Sequence, residues 1–184
     1  EILTAPQVSE AQTFEIPADN GIEFQNVSFT YEGAEKKALD EVTFTVPAGS
    51  TVALVGPSGG GKTTAASLIP RFWDSDTGSV LVGGADVRSI APKVLMDQVA
   101  FVFQNNHLFK TTILENVRAS RPQASREEAL EALAAAQCED IIEKMPEGVD
   151  TVIGTHGTYL SGGEQQRIAL ARAILKDAPI VVLD

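Results

Sequence analysis

Eight consecutive residues constrain this chain more than any other feature. Gly56-Pro57-Ser58-Gly59-Gly60-Gly61-Lys62-Thr63 lies between a short apolar run at residues 51–55 and a segment suited to a helix from Lys62 to about Ile69. The spacing fits G-x-x-x-x-G-K-[ST]. Lacking a Cβ, the glycines let successive backbone N–H groups curve inward around an anion. The helix opening at the loop places the positive end of its dipole beneath that anion. On this chemistry Lys62 is expected to bridge the β- and γ-phosphates of a nucleoside triphosphate, and the Thr63 hydroxyl to hold Mg²⁺. The plain alternative is a glycine-rich structural turn, but a strand before and a helix after are the context of a phosphate loop. No G-x-G-x-x-G can be laid over these glycines, which sets aside a dinucleotide loop.

Such a loop needs an α/β layer around it, and the chain is patterned accordingly. Ile22, Phe24, Val27 and Phe29 suggest an edge strand, and a second runs over residues 42–46, stopped by Pro47, Ala48 and Gly49. Residues 51–55 read as a buried parallel strand, being short, apolar and β-branched. Further strands are expected at residues 79–82, 99–103 and 180–183. Ser125 with Glu128 fits a capping box opening an Ala/Leu-rich helix to Gln137, and another helix should run from near Ser161 through Leu175. The expected fold class is therefore α/β: a P-loop NTPase core with a parallel sheet, antiparallel β edge strands, and a helical subdomain at about residues 105–175. Residues 1–20, rich in Pro, Glu, Gln and Thr, read as a linker leading into a domain at residues 21–184.

Charge narrows the partners. Fourteen Lys and Arg against 25 Asp and Glu leave a net charge of −11, with no dense basic cluster, so nucleic acid is not an expected partner. Cys138 is the one cysteine and has no second thiol for a disulfide or a zinc site. His107 and His156 stand alone and read as surface or core residues rather than metal ligands. No apolar run approaches the roughly 20 residues that cross a bilayer.

A phosphate loop alone serves kinases, GTPases and helicases alike. Tyr159-Leu160-Ser161-Gly162-Gly163-Glu164-Gln165-Gln166-Arg167 separates these cases. Its bland reading is a helix N-terminus capped by Ser161. Two glycines at a capped helix start also form a second anion cradle, apart from the first. With both motifs in this order, the chain from about Ile22 to Asp184 resembles the ATP-binding cassette (ABC) family, whose signature is Leu-Ser-Gly-Gly followed by Gln or Glu. The resemblance implies ATP and Mg²⁺ as cofactors and a second ABC ATP-binding domain, identical or different, as partner. It implies a nucleotide site of Tyr31, Gly56, Pro57, Ser58, Gly59, Gly60, Gly61, Lys62, Thr63 and Thr64, with Tyr31 of Phe29-Thr30-Tyr31 stacking on adenine. Ser161, Gly162, Gly163 and Glu164 would contact the γ-phosphate of the partner's nucleotide. Gln104, in Val102-Phe103-Gln104, would sense Mg²⁺ and the attacking water. Asp184, closing Ile180-Val181-Val182-Leu183-Asp184, would hold Mg²⁺ through water, completing a metal set of Thr63, Gln104 and Asp184. Lys62, Gln104 and Ser161 are the implied catalytic residues, with a catalytic glutamate expected just beyond Asp184.

Within the family the chain is most similar to exporter-type transporters, through Ile22-Glu23-Phe24-Gln25-Asn26-Val27-Ser28-Phe29, Pro70-Arg71-Phe72-Trp73 and Thr112-Ile113-Leu114-Glu115-Asn116-Val117. The surroundings of Trp73 and of residues 98–104 also resemble siderophore-related members. This likeness implies a transmembrane domain, in the same polypeptide and upstream of the linker, and a place on the cytoplasmic face of the inner membrane. It departs from the pattern at Gly154-Thr155-His156-Gly157, where Thr155 replaces the glutamate of a loop that touches the membrane domain. The fold is expected to be truncated after the strand ending at Asp184, and these 184 residues alone to bind MgATP and hydrolyse it poorly. The rival readings are a non-transport ABC ATPase acting on DNA or ribosomes, and a regulatory nucleotide-binding module without turnover.

Overall fold

In a computed structural model, residues 14–154 and 159–184 are described. The chain divides into two compact units, Glu1–Val99 and Ala100–Asp184. Most of the linker at residues 1–20 lies outside the described residues, as do Thr155, His156 and Gly157.

The first unit is built on an antiparallel sheet in the order β2-β1-β3-β4, formed by β1 (Ile22–Phe29), β2 (Leu39–Val46), β3 (Thr77–Val82) and β4 (Ala85–Asp86). Phe24 pairs with Phe44 on one side and Val80 on the other, and its ring stacks on that of Phe44 at 4.4 Å. In β1 the buried positions change phase, from Ile22 and Phe24 to Val27 and Phe29. An irregularity in both ladders around Gln25 and Asn26 accounts for the change, because one extra residue flips every later side chain to the other face. Asn26 takes φ +49° there and is pinned to Thr43, its N–H donating to Thr43 Oγ1 at 2.9 Å. Opposite the bulge sits Gly78, with φ +77°. A Cβ at Gly78 would lie 2.3 Å from the Gln25 carbonyl oxygen and 2.4 Å from that of Asn26, so only glycine fits.

The same unit carries α1 (Lys62–Leu68) and α2 (Pro92–Gln98), the latter opening on proline, which is pre-set for the first helical turn. Residues 51–55 differ from the expectation of a buried strand. They pair with no strand among the described residues, and Val52, Leu54 and Val55 are 48%, 43% and 92% exposed. Propensity alone does not make a strand: the backbone N–H and C=O groups of such a run need a neighbour to pair with.

The second unit takes up β5 (Val99–Val102) from its second residue, passes through α3 (Ile113–Arg118), α4 (Arg126–Ala135), α5 (Glu139–Glu143), a 3₁₀ turn at Gly148–Asp150 and α6 (Gly162–Lys176), and closes with β6 (Ile180–Leu183) beside β5. The capping box expected at Ser125 and Glu128 is present at the start of α4. Helix α6 is buried along two stripes. Ile168, Ala171 and Leu175 join Ile113, Val117, Leu133 and Ile141 in a helical core, while Ala169 and Ala173 pack on Ala100 and Val102 of β5. Spacings of three and four put each set on one stripe of the helix. Asn116 is fully buried and ties the segment after β5 to α6. Its Oδ1 accepts from the Phe109 N–H at 2.8 Å and its Nδ2 donates to the Phe109 carbonyl at 3.0 Å, while Arg172 Nε donates to the Asn116 carbonyl at 2.9 Å. No described helix is long and apolar enough to cross a membrane.

Gly78→Ala forces a Cβ into two carbonyl oxygens and a left-handed backbone onto alanine, so a loss of about 2–4 kcal/mol is expected. Chemical denaturation, with the midpoint compared at constant slope, measures it.

Candidate functional site

Two of the residues expected to hold phosphate have a backbone conformation that favours glycine. Gly59 and Gly61 adopt φ +76° and +80°. A Cβ on Gly61 would meet the Ala38 carbonyl oxygen at 2.5 Å and Leu39 Cδ2 at 2.7 Å, so the loop is pressed against the start of β2 just before α1 begins. Gly60 N–H donates to the Pro57 carbonyl at 3.1 Å, closing the turn. Lys62 Nζ curls over the loop and donates to the carbonyls of Gly56 at 3.0 Å and Pro57 at 2.7 Å. These two acceptors hold the ammonium above the loop, within reach of whatever anion the amides bind. The donor set thus fits a polyphosphate: a glycine loop in which Gly61 has no room for a Cβ, one lysine tethered over it, and a helix N-terminus at its end.

Tyr31 belongs to the same region. Its hydroxyl and Thr64 Oγ1 are 3.0 Å apart, with Thr64 buried on α1, one residue beyond Thr63. The Tyr31 ring is edge-on to Phe29 at 4.8 Å and to Trp73 at 5.9 Å, leaving the residue 38% exposed. An aromatic buttressed on two sides and open on a third is a platform for a flat ring. Sequence reasoning placed Tyr31 at the base but not its bond to Thr64, because hydroxyl pairing across 33 residues leaves no spacing signal. Trp73 was singled out only as a family likeness, and the structure makes it the wall behind Tyr31.

In the second unit, Gln104 and Asp184 end neighbouring strands. The Asp184 N–H donates to the Val102 carbonyl at 3.0 Å, which sets Asp184 alongside the end of β5, two residues before Gln104. Both carry oxygen donors suited to a hard cation. Among the described residues no cluster of three or more His, Cys, Asp and Glu could hold a metal ion.

Ser161, Gly162, Gly163 and Glu164 form a third group, at the head of α6, whose described contacts run to α5. Ser161 Oγ accepts from the Glu164 N–H at 3.3 Å, and the Ser161 N–H donates to Glu164 Oε2 at 2.8 Å, a complete capping box. Glycines at the first two helical positions keep Cβ atoms away from the amides there. Arg167 braces this turn: Nη1 and Nη2 donate to Asp140 Oδ1 and Oδ2 at 2.6 and 3.0 Å, and Nη1 also donates to the Gln137 carbonyl. Lys144 Nζ completes the group, 3.6 Å from Asp140 and 3.8 Å from Glu164. The Arg167 fork holds the Asp140 carboxyl down at about 2, and the Ser161 N–H lowers that of Glu164. Asp140 and Lys144 were missed from sequence, since their carboxylate and ammonium stand more than 15 residues from the motif they support.

The family model described as ABC transporter matches residues 39–184. The chain is 51% identical over 168 residues to the ATP-dependent lipid A-core flippase of Escherichia coli (strain K12), and equally to that of Shigella flexneri; the match covers 91% of this chain and 29% of each relative. Among solved structures it is similar to a bacterial Atm1-family ABC exporter with ATP bound, with a TM-score of 0.91 and 38% identity over all of this chain and 32% of that one. The chain therefore spans about a third of the length of the relatives it matches.

Tyr31→Ala is expected to weaken nucleotide binding by roughly 1–3 kcal/mol, the range for a base stacked on an aromatic, whereas Tyr31→Phe keeps the ring and stays within about threefold of the parent. Calorimetric titration of both variants separates stacking from the Thr64 bond. The Asp140–Arg167 pair has its own signature in pH. Because the folded carboxyl titrates at about 2 against an ordinary 3.8, its contribution is complete above the ordinary value and is lost as pH falls through about 2. Asp140→Asn should therefore flatten the fall in stability across that acid window, as followed by urea denaturation at stepped pH.

Proposed function

Because the chain belongs to the ABC transporter family, we propose that it is the ATP-binding and hydrolysing motor domain of an exporter-type membrane transporter, working as one of a pair. The observation that carries this reading is the presence of two separate amide cradles, one at the glycine loop before α1 and one at the capped head of α6. A single nucleotide site needs only the first. A second cradle, held in place by Arg167, Asp140 and Lys144, gains a use when it meets the nucleotide of another domain.

In this reading Lys62 and the loop amides bind the β- and γ-phosphates, and Tyr31 receives the adenine. Thr63 would hold Mg²⁺ through its hydroxyl and Asp184 through water, with Gln104 sensing the ion, which would neutralise phosphate charge when bound. Gln104 also orients water for in-line attack: a bond forms from the water oxygen to the γ-phosphorus as the bond to the β–γ bridging oxygen breaks. Ser161 and the amides of Gly162 and Gly163 close the partner's site, so nucleotide favours the closed pair and its hydrolysis removes that bias. The likeness to a flippase and an exporter supports a membrane domain in the same polypeptide and a working position at the membrane's cytoplasmic face. The cargo contacts would lie in that membrane domain.

In the intact protein, Lys62→Ala is expected to abolish ATP hydrolysis with loss of triphosphate binding. Ser161→Ala should leave nucleotide binding to one domain within about twofold while lowering turnover at least tenfold. Equilibrium binding together with steady-state phosphate release distinguishes the two; a Ser161→Ala protein that fails to bind nucleotide at all would contradict the assignment across the pair.

A further inference from the structure

The residue that follows the two signature glycines is an acid, and the structure shows what its carboxylate does. Glu164 Oε2 accepts two hydrogen bonds from Ser161, one from its N–H and one from its hydroxyl, both at 2.8 Å. The Ser161 hydroxyl has a single proton, and that proton is aimed at Glu164. A phosphate oxygen reaching Ser161 needs the same proton. It also needs the positive field at the head of α6, which the Glu164 carboxylate already uses. The carboxylate stays ionised because the Ser161 N–H favours the charged form, and Lys144, 3.8 Å away, offsets its charge.

We propose that Glu164 is an internal competitor of the partner's γ-phosphate, holding the Ser161 hydroxyl until nucleotide displaces it, with Lys144 as the positioning cation that sets how strongly it competes. The inference rests on the reading of Ser161 as a contact to the partner's nucleotide. It assigns Glu164 the opposite effect from a phosphate ligand: two like charges at one helix head raise the nucleotide concentration needed to close the pair. Glutamine at this position keeps an acceptor oxygen for the Ser161 N–H and hydroxyl but removes the charge. The identity of this residue therefore adjusts closure without dismantling the cap.

The test uses the intact protein with a spin label on each ATP-binding domain, titrated with the non-hydrolysable analogue AMP-PNP and Mg²⁺, and reads the concentration that half-closes the pair. Glu164→Gln is expected to lower that concentration by about three- to tenfold, the effect of removing one charge close to a phosphate at a partly wet site. Its thermal midpoint should be unchanged, since the cap survives. Lys144→Gln, which removes no hydrogen bond between Ser161 and Glu164, should raise the concentration about two- to threefold, and this shift should vanish when Glu164→Gln is also present. If Ser161→Ala impairs closure while Glu164→Gln leaves it unchanged or makes it harder, the competition is overturned and the nucleotide contact stands. If Lys144→Gln acts equally in both backgrounds, its route through Glu164 is overturned. If Ser161→Ala closes like the parent, the nucleotide contact itself falls and the competition falls with it.

Discussion

Helix α6 must be buried on two sides at once. One stripe, Ile168, Ala171 and Leu175, completes the helical core, and another, Ala169 and Ala173, lies on β5. A 15-residue helix held that way has little freedom to rotate or slide, because either movement exposes one stripe and overfills the other. The alanines permit the close approach to the strand, and the bulkier residues fill the space towards α3 and α4. This double burial fixes where the head of the helix lies. Ser161, Gly162 and Gly163 sit at that head, so the position of their amides follows from packing two to four turns away. Arg167, forked onto Asp140, adds an angular stop at the first turn.

The phosphate loop is placed by a different means. It has no buried side chains of its own to locate it, and its conformation comes from glycines that tolerate positive φ and from the close approach of Gly61 to Ala38 and Leu39. The loop is thus shaped by steric exclusion from a strand edge, whereas the head of α6 is shaped by hydrophobic wedging. Both routes place a helix start whose first N–H groups have no helical acceptor.

Much of this was legible in the residues. The phosphate loop, the capping box at Ser125 and Glu128, the Ser161 cap, the apolar positions of β1 and the strand β6 all follow local rules of spacing and propensity. What escaped were features that depend on distant partners. Residues 51–55 have every local mark of a strand, yet a ladder needs a neighbour, and pairing is a property of two segments. The bond between Tyr31 and Thr64, the Lys144 ammonium beside Glu164, and the Asn116 link to Arg172 join positions far apart in sequence. The short helices α3 and α5 escaped for the converse reason: six and five residues hold too few turns to show a period.

The unpaired run at residues 51–55 also bears on how this polypeptide behaves while it is being made. Ribosomes add about 5–20 residues per second, so this apolar, β-branched segment emerges seconds before residues 180–183 are made. During that wait Val52, Leu54 and Val55 form a sticky edge open to any other nascent chain. The glycine loop that follows gives this edge an abrupt end, and the turn of Pro47, Ala48, Gly49 and Ser50 before it gives an abrupt start. The length available for mispairing is thereby kept to five residues, fewer than the six or seven that sustain a self-propagating β-stack.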